Sequence, residues 1–384
     1  MKHYVKHALQ KRQTMKDNLY GTRLYINFSQ LEKNIKTINR AANDCEIIAM
    51  VKANAYGHGD IAISLKMEEL GVNYFGVADF EEGIRLRDSG IKNSIIVMNP
   101  GVQNIGAVMD YNLEPVIYSN KILLALQDAI CKNDSICKTN PISIHLKINT
   151  GMNRWGFNKS EIPDLIDTLK NINTIKIKSI YSHLASSKNL KDDSFTYNQI
   201  QKFTNYTLKF QNSFKYTIKT HIHNSSGLIR FYNKNNSFQY ARIGLALYGG
   251  MKDVNFEPIA ELKCLVSQIR NIDKGDSVGY NRTFVAQDKM KIGLVPFGYA
   301  DGLQRSWGNG KLRFLYDKIL VPVVGQISMD SCIVDITEVE KSKEGDNIIL
   351  FGKNRSIFDL SKELETIPYE ITAGLSKRIH RVFT

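Results

Sequence analysis

The sequence predicts an α/β protein, a parallel (β/α)8 TIM-type barrel followed by a mostly β C-terminal domain. Three observations carry this. Short apolar runs alternate with helical periodicity over about 200 residues, and about eight of those runs read as strands. After about residue 250 the rhythm changes to strand-like segments parted by Gly, Asp and Asn turns. An open doubly wound sheet is the runner-up, but it wants a GxGxxG turn after an early strand, and the chain has none.

Residues 1–20 are basic and without clear periodicity, and read as an N-terminal extension. The barrel is expected over 21–250. Residues 23–28 alternate as a strand, and Ser29 is expected to cap a helix in a capping box with Glu32. The apolar run 46–51 is a buried strand closed by Lys52, with Ala53-Asn54-Ala55-Tyr56-Gly57-His58-Gly59 as the turn after it. Helices are then expected at 61–70, 81–88, 104–111, 121–131, 160–170 (with Ser160 as N-cap) and 197–214, with a short one near Leu228. The strands between them fall at 74–77, 94–98, 115–118, 142–148, 175–181, 220–223 and 238–242. The C-terminal domain is expected over 251–384, with strands at 260–272, 291–295, 319–324, 332–336 and 347–351.

Lys and Arg number 51 against 38 Asp and Glu, a formal charge of +13. No run of five basic residues occurs, so the excess reads as solvated helix surface and not as a nucleic-acid footprint. The five cysteines, Cys45, Cys131, Cys137, Cys264 and Cys332, form no CxxC, so neither a disulfide framework nor a metal site is expected. The N-terminal stretch lacks the apolar core of a signal peptide, and no run is long enough to span a membrane. A cytoplasmic protein is the expectation.

A barrel collects its chemistry just beyond the C-terminal ends of its strands. Lys52 lies there, and a partly desolvated lysine amine can act as nucleophile or base. So do Arg154 in the Gly-bracketed loop 149–156, Ser182-His183, Asn224-Ser225-Ser226-Gly227, and Arg242-Ile243-Gly244. Taken singly, each has a plainer reading: a surface lysine, a satisfied core histidine, a helix N-cap, a structural ion pair. Together, serine hydroxyls, a helix N-terminus and a glycine backbone beside a lysine describe a phosphate cradle next to an aldehyde-capturing amine. That combination points to pyridoxal 5'-phosphate (PLP).

The segments AMVKANAYGHG, NTGMNRWGF, SHLASS, HNSSG, ARIGLALYG, VGYNRTF, PFGYADGLQR and GQISMD occur in this order from about residue 22 onwards. Jointly they resemble the alanine racemase family, PLP enzymes with a barrel followed by a β domain. The resemblance implies that Lys52 holds PLP covalently and serves as one of two acid/base groups. Tyr280 would be the other, donated across a homodimer interface to the opposite face of the substrate. Inverting Cα needs a proton removed on one face and returned on the other. A tyrosine phenol ordinarily titrates near 10, so Arg154 and His183 are implied as its hydrogen-bonding support. The resemblance further places the phosphate at Tyr56, Ser225 and the backbone of Gly244 and Leu245, counts His183 and Asn224 among the cofactor-binding residues, and sets Arg242 at the pyridine nitrogen. The substrate carboxylate would meet Arg154 and the partner subunit's copy of the Met329-Asp330 segment. Lys147 matches a lysine that is often carbamylated in the family. The implied activity is interconversion of L- and D-alanine, which would supply D-alanine for peptidoglycan.

Three positions depart from the family pattern: Asn149 for a frequent Asp, Gln326 for a frequent Arg, and Lys377 where some members have a Tyr near the entrance. They leave open a racemase acting on serine or longer amino acids. A PLP-dependent amino-acid decarboxylase shares the two-domain plan, but its glycine triplet and EPGR-type segment are missing. A non-enzymatic PLP carrier would lack the β domain, and an RNA-binding protein would carry an aromatic-basic motif.

Overall fold

The computed structural model of the protein describes residues 21–132, 141–233, 238–251 and 256–384. The expected extension 1–20 and Cys137 lie outside the described residues. The chain divides into two compact units, one of residues 32–247 and one that joins the segment up to Leu31 with Tyr248–Thr384. Among the described residues no helix is long and apolar enough to cross a membrane.

The first strand, β1 (Arg23–Ile26), belongs to the second unit and is taken up below. In the 32–247 unit the strands are β2 (Glu46–Met50), β3 (Tyr74–Val77), β4 (Ser94–Val97), β5 (Glu114–Ile117), β6 (Ile142–Lys147), β7 (Ile175–Tyr181), β8 (Lys219–His221) and β9 (Tyr240–Ile243). They form one parallel sheet in the order β8-β7-β6-β5-β4-β3-β2-β9. The ring is tied shut by the Arg242 N–H, which donates to the His223 carbonyl just after β8 at 3.0 Å. These are the eight strands expected from the sequence. Their near-continuous apolar character, as in Ile47–Ile48–Ala49–Met50, follows from burial on both faces of a parallel sheet.

Two kinds of core result. Outside the sheet, residues such as Ile144, Leu146, Phe203 and Phe210 pack between strands and helices, and each large side chain so buried contributes about 1.5–3 kcal/mol. Inside the ring a smaller cluster of Ile48, Met50, Ile96, Val116, Tyr181 and Tyr240 shares space with the polar side chains of His145, Ser179, His221 and Arg242.

Some local expectations are corrected. The helix Phe28–Ala42 is capped by Asn27, whose Oδ1 accepts from Gln30 N at 2.8 Å, and not by Ser29. Glu32 instead reaches Lys36 one turn on. Asn158, not Ser160, starts the segment that leads into the helix Ile162–Lys170, in a capping box with Glu161. In both cases an Asn with its oxygen already at the free N–H groups displaced a serine further along the chain.

The strand expected at 23–28 pairs outside the barrel sheet. The other unit has β10 (Ala260–Leu265), β11 (Gln268–Ile272), β12 (Ser277–Val278), β13 (Phe284–Val285), β14 (Met290–Val295), β15 (Arg313–Tyr316), β16 (Ile319–Pro322), β17 (Cys332–Asp335), β18 (Asn347–Phe351) and β19 (His380–Phe383). β1 is inserted between β10 and β19 in the six-stranded sheet β16-β15-β18-β10-β1-β19, antiparallel to the first and parallel to the second. Its alternation, with Leu24 and Ile26 fully buried, suits a one-sided sheet and not the two-sided barrel wall. The expected single strand 260–272 is two strands broken at Val266-Ser267, and β11 leaves β10 to pair with β14.

Candidate active site

After β2 the backbone turns left-handed. Ala53, Asn54, Ala55 and Tyr56 have φ between 52° and 55°, and Gly57 follows at 88°. Four consecutive residues with a Cβ in this region cost about 1–2 kcal/mol each, so the surroundings must over-determine the turn. They do so with hydrogen bonds. Ala55 N donates to Val51 O at 2.8 Å and Gly57 N to Ala53 O at 2.9 Å. Glu82 accepts from Ala53 N through Oε1 at 2.7 Å and from Ala78 N through Oε2 at 2.8 Å. Asp60 N donates to Asn54 Oδ1 at 3.1 Å, and Asp60 is held by Arg85. Lys52 opens this turn.

Burial lowers the proton affinity of the Lys52 amine, and the Arg154 guanidinium lowers it further; Glu82 opposes and Arg242 adds to the lowering. Lys147, at the end of β6, is brought down to about 7 by burial and by Arg154, Arg242 and Lys52. Its ammonium also faces the rings of Trp155 and Tyr181 at 5.2 and 5.5 Å. Four basic side chains therefore converge at one end of the barrel.

Arg154 sits in a loop closed by Phe157 N to Lys147 O and Asn149 N to Phe157 O, both 2.9 Å. Gly156 permits that closure, because a Cβ there would lie 2.9 Å from backbone atoms of Lys147, Ile148 and Asn149. Asn149 organises the loop. Its Oδ1 accepts from the N–H groups of Gly151 and Asn153, and its amide donates to Asn153 Oδ1 and Asn158 Oδ1. An Asp at 149 could make only the first pair of bonds.

Arg242, on β9, is buried and its proton affinity is lowered by burial to about 10, so it stays charged at neutral pH. Its Nη2 donates to Ser182 O at 2.5 Å and to His183 Nδ1 at 3.1 Å, and its Nη1 to His221 Nδ1 at 2.6 Å. Burial, with Arg242 and Arg154 adding to it, keeps His183 neutral. Ser225 Oγ accepts from Gly244 N and Ala246 N at 3.2 and 3.3 Å, beside half-buried Leu245. A Cβ at Gly244 would collide with the Tyr56 hydroxyl and displace that side chain. Asn224 is occupied as a helix cap. Its Oδ1 accepts from Gly227 N and from the Ser187 hydroxyl, both at 2.8 Å, so its contribution is to hold Ser225 in place.

These barrel residues fit a PLP group: an amine of lowered proton affinity, a hydroxyl and glycine cradle, and a fixed guanidinium. Tyr280, Met329 and Asp330 belong to the other unit. Tyr280 heads a short turn after Gly279 and is 66% exposed, Met329 is 54% exposed, and Asp330 pairs with Arg378 at 2.8 Å. Gln326 accepts from Arg305 at 2.5 Å, and Lys377 is exposed. Sequence reasoning missed Glu82, which looks like any acidic residue in a first helical turn. It also missed His145, Ser179 and His221; the signal for the first two is a polar side chain among buried apolar ones, and His221, in Lys219-Thr220-His221, has none.

Residues 26–252 match the family model described as alanine racemase, N-terminal domain, and residues 259–383 match alanine racemase, C-terminal domain. An alanine racemase from Clostridium tetani is 34% identical over 93% of this chain and 94% of its own length. One from Methanococcus maripaludis is 33% identical over 93% of this chain and 97% of its own. The crystal structure of alanine racemase from Bartonella henselae with covalently bound pyridoxal phosphate superposes with a TM-score of 0.83 at 28% identity, covering 95% of this chain and all of that one. With both domain models matched in order and relatives aligned over nearly their whole length, the chain belongs to the alanine racemase family.

Proposed function

We propose that the protein is a PLP-dependent cytoplasmic racemase that interconverts L- and D-alanine by a two-base mechanism. The observation that carries this reading is the strained turn that holds Lys52, with its lowered proton affinity, beside Arg154 and Arg242. When bound, PLP supplies an electron-withdrawing ring that makes the substrate Cα proton removable. Lys52 binds it covalently and afterwards takes or returns that proton on one face; burial and the neighbouring cations favour the neutral amine both tasks need. Tyr56, Ser225 and the backbone of Gly244 and Leu245 hold the phosphate, with Asn224 fixing Ser225. Arg242 meets the pyridine nitrogen. Among the described residues its hydrogen bonds run through the two terminal nitrogens, which leaves Nε for the ligand. A charged guanidinium gives up no proton readily, so Arg242 would donate to the ring nitrogen without protonating it, which would disfavour transamination.

Tyr280 acts on the opposite face, supported by Arg154 and His183, and we assign it, with Met329 and Asp330, to the partner's site in a homodimer. Its exposure is consistent with a side chain that completes another subunit's site. Lys147 is the expected carbamylation site. Carbon dioxide needs a neutral amine, which a value of about 7 supplies, and the carbamate would place an anion among Lys52, Arg154 and Arg242. The product would serve peptidoglycan synthesis.

The test is chiral chromatography of a panel of L-amino acids after incubation with the protein and PLP. Alanine should racemise fastest. Serine and longer amino acids belong in the panel because of Asn149, Gln326 and Lys377. A protein that binds PLP but racemises none of them would sink the reading. Lys52→Ala should lose the visible absorption of bound PLP. In deuterated water Tyr280→Phe should slow exchange from the L side far more than from the D side; equal slowing would remove Tyr280 from its assigned face.

A further inference from the structure

The barrel interior holds a polar chain that the scheme above does not use. Arg242 Nη1 donates to His221 Nδ1 at 2.6 Å. His221 Nε2 lies 2.8 Å from Ser179 Oγ, and Ser179 Oγ lies 2.6 Å from His145 Nδ1. His145 Nε2 lies 2.7 Å from Glu114 Oε2. Glu114 Oε1 accepts from Lys178 at 2.5 Å and from Ser94 at 2.9 Å. Five successive strands, β5 to β9, thus contribute one residue each. The chain climbs from the first residue of β5 to the far part of β9. His145, Ser179 and His221 are fully buried.

The two ends set the direction of every bond between them. A guanidinium has no acceptor and a carboxylate has no donor. Arg242 therefore makes His221 Nδ1 an acceptor, so the ring proton sits on Nε2 and is donated to Ser179. Glu114 makes His145 Nε2 a donor, so His145 Nδ1 accepts the Ser179 hydroxyl proton. Four contacts are filled by four protons. A fifth proton on His145 would leave the serine hydroxyl without an acceptor among the described residues. Aligned bonds in a dry interior also polarise one another.

We infer that Glu114 is a positioning residue: by ending this one-way chain it holds His221 in the tautomer that accepts from Arg242, and so fixes the guanidinium at the barrel mouth. The consequence for catalysis rests on the function proposed above; the tautomers do not. Glu114 accomplishes this from the opposite end of the strands, without touching the ligand.

Neutron diffraction from holoenzyme crystals in deuterated buffer locates the ring deuterons. One deuteron on Nε2 of each ring, His145 and His221, is expected; a deuteron on Nδ1 of either overturns the proposal. Two variants test the link to Arg242. Glu114→Leu removes the acceptor, and Glu114→Gln keeps one. Glu114→Leu should lower kcat about tenfold, the size of one hydrogen bond's net contribution, with KM nearly unchanged. It should also move the visible absorption maximum of bound PLP, and Glu114→Gln should restore most of both. Equal losses in the two variants would make Glu114 only the counter-ion of Lys178, and a Leu variant with wild-type kcat and spectrum would also refute the proposal. If Glu114→Leu does not fold, the deuteron positions decide. If the holoenzyme racemises nothing, the proposed function fails while the deuteron positions still test the chain.

Discussion

Replacing Ala53 by glycine should stabilise the protein, the reverse of what this change does in an ordinary helix. Ala53 has φ 52° and ψ 52°, where an L-residue with a Cβ pays about 1–2 kcal/mol. Glycine does not pay this, but its extra freedom in the unfolded chain costs about 0.5–1 kcal/mol. Ala53 is exposed, so little packing is lost. The net gain should be roughly 0.5–1 kcal/mol. The control is Ala129→Gly in the right-handed helix Asn120–Lys132, which should lose about 1 kcal/mol. Urea unfolding of both variants should therefore move the midpoints in opposite directions at an unchanged slope. A loss in Ala53→Gly equal to the control's would mean that the turn carries no strain, and the account of how Lys52 is held would be wrong. The stabilised variant should also turn over more slowly, because a relaxed turn aims the lysine less firmly.

Glu82→Gln leaves one of the two N–H groups at Ala53 and Ala78 without its oxygen, which should cost about 1–3 kcal/mol and weaken PLP retention; wild-type stability and retention would dismiss Glu82 as the anchor of the turn. Exposure of the wild type to ¹³C-labelled carbon dioxide should give a carbamate NMR signal that Lys147→Ala lacks. Since the Lys147 amine is held at about 7, that signal should fade as pH falls below 7. Burial pushes the Glu114 carboxyl up, but the hydrogen bond from His145 and the Lys178 ammonium outweigh it and hold the group below its usual 4.5. A depressed carboxylate contributes stability that is complete above 4.5 and lost as pH falls through its lowered value. Unfolding midpoints measured downwards from pH 6 should fall less steeply in Glu114→Gln than in wild type; parallel curves would contradict this.

Barrel strands such as β2 and β4 were legible because a parallel wall buried on both faces writes itself as short apolar runs, here Ile47–Met50 and Ile95–Val97. Lys52, Arg154, His183, Ser225 and Arg242 were legible by position, each lying at or just past the end of such a run. The handedness of the turn after Lys52 was not. Ala53, Ala55 and Tyr56 have no preference for positive φ, and the conformation is imposed by Glu82, some 30 residues on, which no local pattern reports. The placement of β1 was hidden for a similar reason. Its alternation identifies a strand, but its partners Lys263 and His380 lie hundreds of residues downstream. The tautomers of His145 and His221 needed distances, since only their two end groups fix them.

The insertion of β1 between β10 and β19 has a consequence for synthesis on the ribosome. Each neighbouring pair in the barrel from β2 to β8 joins consecutive segments, so that unit can assemble while the chain is still being made. Arg23 pairs with His380, however, and at about 5–20 residues per second the two leave the ribosome roughly 20–70 s apart. Over that interval β1 is a strand with an unpaired edge, open to intermolecular pairing. Arg23 puts one charge at the start of that edge. The nascent chain therefore has to shelter its first strand until almost its last one has emerged.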